Sequence, residues 1–195
     1  PARQSRETLE ATRREMGSIA FAAQHLQDPV PPDGNTVKAE WLREYEPGLL
    51  DRADGIVVQS WDTAIKVEER HDWSVCITAL VRGRQVYILD VWRRKVEFTE
   101  LWKATRRLAR EWKPTALLIE DAGNGTALIQ RLLNEEPAGV PRPIARRPKM
   151  GKESRLDAAS SMIEAGDLLL PAEAAWLAHF RSELLAFPSG KNDDQ

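Results

Sequence analysis

The residues best suited to chemistry in this chain are acids, and they stand at the ends of predicted elements. Asp62 closes the apolar run Gly55 to Asp62, and Glu120 and Asp121 close the run that starts at Thr115. Asp193 and Asp194 follow the last predicted helix. Carboxylates gathered in one place repel one another, and burial raises that cost. Hard divalent cations such as Mg²⁺ and Mn²⁺, which prefer oxygen ligands, remove the conflict. Two such ions about 3.5–4 Å apart can clamp the attacking and leaving oxygens of a phosphodiester. One lowers the pKa of bound water and the other takes up charge on the leaving oxygen, so no side-chain nucleophile is required. The competing reading is of ordinary surface carboxylates at loop starts, where Asp is common because its side chain hydrogen-bonds nearby backbone.

Other chemistries have less support. His25, His71 and His179 are far apart, and no Cys/His set has zinc spacing. There is no GxSxG elbow. Gly151-Lys152-Glu153-Ser154 resembles a phosphate loop only superficially, because it lacks the upstream glycine and a strand-to-helix setting. Gly123-Asn124-Gly125 reads as a turn beside the acids rather than a nucleotide loop. The single cysteine, Cys76, excludes an internal disulfide and lies in an apolar alternating run that predicts burial. Trp102, Trp112 and Trp176 fall on apolar helix faces and read as core, whereas Trp61 and Trp73 flank the first acidic loop and are open to a role there.

The 195 residues suffice for one domain with its own core. A hydrophobic share of 42% with 30% charged residues suits a globular domain rather than a disordered chain. No run approaches the roughly 20 apolar residues of a membrane span. Residues 1 to 15 are too polar for a secretion signal, and the lack of a starting Met reads as a piece of something longer. A reducing cytoplasm is the simplest setting. The net charge of −2 lacks the basic excess common in autonomous DNA binders. Basic residues nevertheless cluster at Arg93-Arg94-Lys95, Arg106-Arg107, Arg146-Arg147 and Lys149 to Arg155, and each cluster taken alone reads as a solvated face.

The elements that must position the acids follow from periodicity. Residues 1 to about 27 predict a helix, stopped by Pro29, Pro31 and Pro32, and Trp41, Leu42 and Tyr45 suggest one face of a short helix. Residues 1–54 are expected to be a connector, and 55–195 the folded domain. Gly55 to Asp62, Ser74 to Val81, Gln85 to Trp92 and Thr115 to Glu120 read as strands. The tight Arg82-Gly83-Arg84 reversal makes the second and third an antiparallel hairpin. Glu97 to Trp112 is an amphipathic helix ended by Pro114, and its length implies a crossover to a parallel fourth strand. A helix from Ala127 to about Asn134, a short strand near Ile144, a helix from Lys152 to Ala165, a short apolar stretch Leu168 to Leu170 and a helix starting at Pro171 complete the chain. The result is a mixed α/β layout. With the first and fourth strands as parallel neighbours, Asp62 and Glu120 converge at their C-terminal ends, where open α/β sheets collect ligands.

Several stretches resemble phage terminase large subunits. Phe21-Ala22-Ala23-Gln24 with Gln27 to Pro32, and Trp41-Leu42, resemble the junction that follows the ATPase part of that family. Ser60-Trp61-Asp62-Thr63-Ala64 with Asp72-Trp73-Ser74 is similar to its first nuclease strand and hairpin. Leu118 to Ala122 with Gly123-Asn124-Gly125 is similar to its second acidic motif. Gly151 to Arg155 and Phe187 to Gln195 resemble its later ones. The resemblance implies a ribonuclease H-like fold, two Mg²⁺ or Mn²⁺ ions, and endonucleolytic cutting of concatemeric double-stranded DNA during viral genome packaging. It implies Asp62, Glu120 and Asp194 as catalytic metal ligands, with Asp121 and Asp193 as adjacent ligands. Lys152 and Arg155, with Arg146 and Arg147, are the implied DNA-binding residues. The implied partners are the portal protein and the small terminase subunit, with no membrane, at the procapsid in the host cytoplasm.

The sequence departs from the family where a His often precedes the paired acids, a place taken here by Asn192, and where the pattern runs on to another Asp beyond Gln195. Two alternatives remain at this point: a resolvase- or transposase-type nuclease of the same fold, and a non-catalytic DNA-docking module of the motor.

Overall fold

A computed structural model describes residues 10–12, 36–63, 73–147 and 149–187. Seven strands form one sheet: β1 (Arg43–Tyr45), β2 (Ile56–Asp62), β3 (Ser74–Arg82), β4 (Gln85–Arg94), β5 (Ala116–Glu120), β6 (Pro143–Arg146) and β7 (Leu168–Pro171). Four helices accompany them: α1 (Phe98–Trp112), α2 (Asn124–Glu135), α3 (Lys152–Glu164) and α4 (Leu177–Ala186). The strand order is β1-β7-β4-β3-β2-β5-β6. β2–β3 and β3–β4 are antiparallel, and the other neighbours are parallel.

Local sequence explains most of this. The β3–β4 reversal places Gly83 at φ 58°, a left-handed turn that glycine enters without steric cost, and Arg82 pairs with Gln85 across it. α1 buries Leu101, Trp102, Thr105, Leu108 and Ala109, a stripe at helical spacing. It ends on Lys113 in a left-handed conformation, just before Pro114.

The sheet is covered on both faces. On one face Trp61, Cys76, Leu117 and Ile119 pack with Leu101 and Leu108 of α1 and Leu128 and Leu132 of α2. On the other, Val75, Ile88, Val91 and Leu170 pack with Ile163 of α3 and Phe180 of α4. Each fully buried Leu or Ile stabilises the fold by about 1.5–3 kcal/mol. Trp61 belongs to this core, 1% exposed and 5.4 Å from Trp92 between ring centres. Trp102 is likewise buried, and Trp112 and Trp176 pack against the two cores. Cys76 is buried too, and burial pushes its thiol pKa far above the ordinary range, so it stays protonated and unreactive.

The elements differ from the sequence reading in three places. Trp41, Leu42 and Tyr45 do not share a helix: Ala39–Trp41 is a single 3₁₀ turn, and Arg43–Tyr45 is an edge strand parallel to β7. The Tyr45 hydroxyl donates to the Ile88 carbonyl at 2.8 Å, and Val37 is 1% exposed, so part of the expected connector packs into the sheet. Pro171 ends β7 rather than opening the last helix, which starts at Leu177. Its missing N–H costs nothing at a strand end. α2 begins at Asn124, three residues earlier than its apolar pattern indicates. The helix expected over residues 1–27 lies outside the described residues except for Glu10–Thr12, which are helical, as do loop residues 64–72 and the acids Asp193 and Asp194. Among the described residues no helix is long and apolar enough to cross a membrane.

Candidate metal centre

β2 and β5 place two acids together. Their parallel register pairs Ser60 with Leu118 and Trp61 with Ile119, so the next step sets Asp62 beside Glu120 at the C-terminal edge. Adjacent strands lie about 4.8 Å apart. Side chains alternate between faces, so Trp61 and Ile119 point into the α1–α2 core while Asp62 and Glu120 share the face toward α3 and α4. The same row continues sideways, because Asp62 pairs with Val75, Val75 with Arg93, and Glu120 with Arg146. Five strands therefore present Arg93, Val75, Asp62, Glu120 and Arg146 in sequence across one face.

A cavity of about 540 Å³ opens beside Asp62. Val75 and Ile77 of β3, Leu156 of α3 and Leu184 and Phe187 of the α4 region form its apolar walls. Its polar lining includes Asp62, Lys152, Arg155 and Glu183. The Arg155 guanidinium lies 3.7 Å from the Glu120 carboxylate. Both α3 cations implied by the resemblance thus face the acidic edge, at the helix end nearest to it.

The turn after β5 is tightly built. Gly123 has φ 50° and sends the chain into α2. A Cβ on Gly125 would lie 2.0 Å from the Glu120 carbonyl oxygen, so only glycine allows α2 to approach the strand end this closely. Thr63 is buried against the same turn.

Asp121 is engaged elsewhere. It accepts a hydrogen bond from the Thr126 hydroxyl at 2.8 Å and one from Arg147 Nε at 2.7 Å. These two bonds, Thr126 first, hold its carboxyl below the usual carboxylate range. Arg147 is correspondingly tied to Asp121, while Arg146 is exposed on the edge strand beside Glu120. The sequence could not separate Glu120 from Asp121 in this way, because adjacency in the chain leaves open which of the two shares the face of Asp62.

Among the described residues no group of three or more His, Cys, Asp or Glu is placed to hold a metal ion. Asp62 and Glu120 are an all-oxygen pair, which fits a hard divalent cation and not a soft one. Two carboxylates fall short of the six oxygens that Mg²⁺ takes, so further ligands would have to come from water, substrate or acids beyond the described residues.

The family model of the terminase RNaseH-like domain matches residues 59–195. The chain belongs to the terminase RNaseH-like family. Comparison with curated proteins gives no match at the sequence level. Solved structures of terminases share the fold at low identity. The large terminase of a thermophilic bacteriophage aligns with TM-score 0.62 at 9% identity, covering 93% of this chain and 44% of that one. The large terminase nuclease of the thermophilic phage G20c with bound magnesium aligns with TM-score 0.62 at 14% identity, covering 84% of this chain and 93% of that one. The human cytomegalovirus terminase nuclease domain, soaked with manganese, aligns with TM-score 0.50 at 8% identity, covering 81% of this chain and 88% of that one. This terminase-family chain therefore spans less than half of the first of these proteins and most of the two isolated nuclease domains. The ribonuclease H-like mixed sheet expected from the sequence is the fold observed.

Proposed function

We propose that this domain is a metal-dependent endonuclease that cuts concatemeric double-stranded DNA during viral genome packaging. The observation that carries the reading is the placement of Asp62 and Glu120 side by side on one face, where Asp62 lines a cavity together with Lys152 and Arg155 and Glu120 lies 3.7 Å from Arg155. The family membership and the magnesium- and manganese-containing terminase nuclease structures support it.

In this reading Asp62 and Glu120 are ligands for Mg²⁺ or Mn²⁺, and Asp194, with Asp193 beside it, contributes the remaining acid from the C-terminal side. Two bound ions would supply a water of lowered pKa and a counter-charge for the leaving oxygen. The protein's own groups do the rest. Lys152 and Arg155 draw the DNA phosphate toward the acidic edge and offset carboxylate repulsion. Val75, Ile77 and Leu156 keep part of the cavity wall dry, which strengthens the charge interactions beside it. Arg146 on β6 meets the backbone next to Glu120. Asp121 is drawn out of the ligand set by Thr126 and Arg147 and braces the turn instead.

The larger setting belongs to the same proposal: a packaging motor at the procapsid in the host cytoplasm, with the portal protein and the small terminase subunit as partners. Plasmid nicking with Mn²⁺, Mg²⁺ or EDTA, on wild type and Asp62→Ala, tests the chemistry. Metal-dependent, sequence-tolerant nicking that is lost in Asp62→Ala is expected. Equal nicking by the two proteins would reject the assignment, and no nicking by either would favour a docking module without catalysis.

A further inference from the structure

The end of the sheet that carries the acid pair continues sideways into a second basic surface at the end of β4. β4 ends at Arg94, in register with Ser74, and Lys95 follows it at the same end of the sheet as Asp62 and Glu120. Arg94 and Lys95 are exposed, and neither has an ion pair among the described residues. Arg93 is different. It lies 3.1 Å from Glu183, and both side chains are about one-tenth exposed, so its charge is compensated inside the protein. Arg93 also stacks over the Trp73 ring at 4.3 Å, and the Lys95 ammonium lies 4.8 Å from the same ring. Cation–π attraction of this kind holds a flexible side chain near one place. Trp73 thus has a bracing role rather than a base-stacking one: Arg93, itself paired with Glu183, stacks on the ring, and the ring holds Lys95 at the surface.

The spacing gives this arrangement a meaning. β4 lies two strands from β2 on the side away from β5, so Arg94 and Lys95 stand about 12 Å from the midpoint of Asp62 and Glu120, taking about 4.8 Å per strand. Arg146 lies about 7 Å from that midpoint on the other side. One DNA strand advances about 3.4 Å along the helix axis per nucleotide. Cations without an ion pair among the described residues therefore flank the acid pair at distances of roughly two nucleotides on one side and three to four on the other.

We propose that Lys95, held against Trp73 beside the Arg93–Glu183 pair, and Arg94 next to it at the strand end form a second phosphate-contacting surface that grips the DNA backbone three to four nucleotides from the cut, opposite the Arg146 side. The inference rests on the nuclease reading above and adds where the substrate lies. It also explains how a domain of net charge −2 could hold a polyanion: the positive charge is concentrated at the two ends of one edge.

The test is duplex binding without chemistry. Anisotropy of a fluorescein-labelled, mixed-sequence duplex in EDTA, over a salt series, is compared for wild type, the double variant Arg94→Ala/Lys95→Ala, and Lys95→Arg. Both positions are exposed, and equal melting temperatures will show that the fold is intact. The double variant is expected to bind about tenfold or more weakly, with the log–log salt slope reduced by about two, while Lys95→Arg stays near wild type. Wild-type affinity and slope in the double variant would overturn the proposal, including the case in which this surface serves an acidic protein instead. The two readings fail differently. If wild type nicks DNA and Asp62→Ala does not, an unaffected double variant removes only the second surface. If wild type neither binds nor nicks duplex DNA, both fall.

Discussion

Asp62 and Glu120 are separated by 57 intervening positions in the chain and by one strand spacing in the fold, standing at the next step of the register that pairs Trp61 with Ile119. Nothing local holds them there. The β2–β5 pairing does so, and the apolar side chains of Trp61, Leu117 and Ile119 fix its register by burying the opposite face. A one-residue slip of β2 would turn Asp62 into that core and bring Trp61 out, away from Glu120 on its unmoved neighbour. The register that stabilises the sheet is therefore also the one that assembles the acid pair.

That relationship separates catalysis from stability at Glu120. Its contact with Arg155 is long, at 3.7 Å, and both side chains are partly exposed, so the ion pair contributes less than about 1 kcal/mol. Glu120→Gln should leave the melting temperature close to wild type. Metal-dependent nicking should fall by more than about a hundredfold, beyond the roughly 10- to 100-fold typical for the residues that merely support metal ligands. Thermal melting and plasmid nicking on one preparation check both halves, and a parallel loss of stability and activity would contradict the separation.

Gly125 makes the opposite case, in which structure and activity move together. An alanine there would put a methyl group on the Glu120 carbonyl, and backbone cannot yield as a flexible side chain can. Gly125→Ala should lower stability by about 1–3 kcal/mol, the usual cost of overpacking. It should also reduce nicking by displacing Glu120. Urea unfolding measures the first effect, and an unchanged midpoint would mean that α2 moves away freely.

Asp90 offers a pH test away from the acid pair. Burial raises its pKa above the ordinary 3.8, and the negative charge of Glu111 adds to the rise. A carboxyl whose folded pKa is raised favours the folded state in its protonated form. Its contribution is fully present below the unfolded pKa and is lost as pH rises through the folded one. Asp90→Asn cannot ionise. Its urea midpoint should exceed that of wild type at pH 7, and the advantage should shrink as pH falls from the raised folded pKa toward the ordinary 3.8 and level off below it. A pH-independent difference would assign the effect to packing instead.

The legibility of this protein varied with the range of the forces involved. β2, β3, β4 and β5 were recognisable because apolar runs bounded by turn residues specify strands locally, and Phe98–Trp112 because its apolar stripe has helical spacing. The three-residue edge strand at Arg43 was not, since so short a segment carries no period and becomes a strand only because β7 is there to pair with it. The position of Asp121 was also hidden, because its direction depends on Thr126 and Arg147, the latter 26 residues away.

By itself the sequence determined most of the elements, the identity of the acids and the places of Asp62 and Glu120 at strand ends, since these follow from side-chain type and short-range periodicity. Only the tertiary structure decided the strand order, the face each acid occupies, the approach of Lys152 and Arg155, and the alignment of Arg94 and Lys95 with the same edge. Those features depend on pairing between distant strands and on the burial of two separate cores, and a linear pattern carries no record of which distant partner a strand will meet.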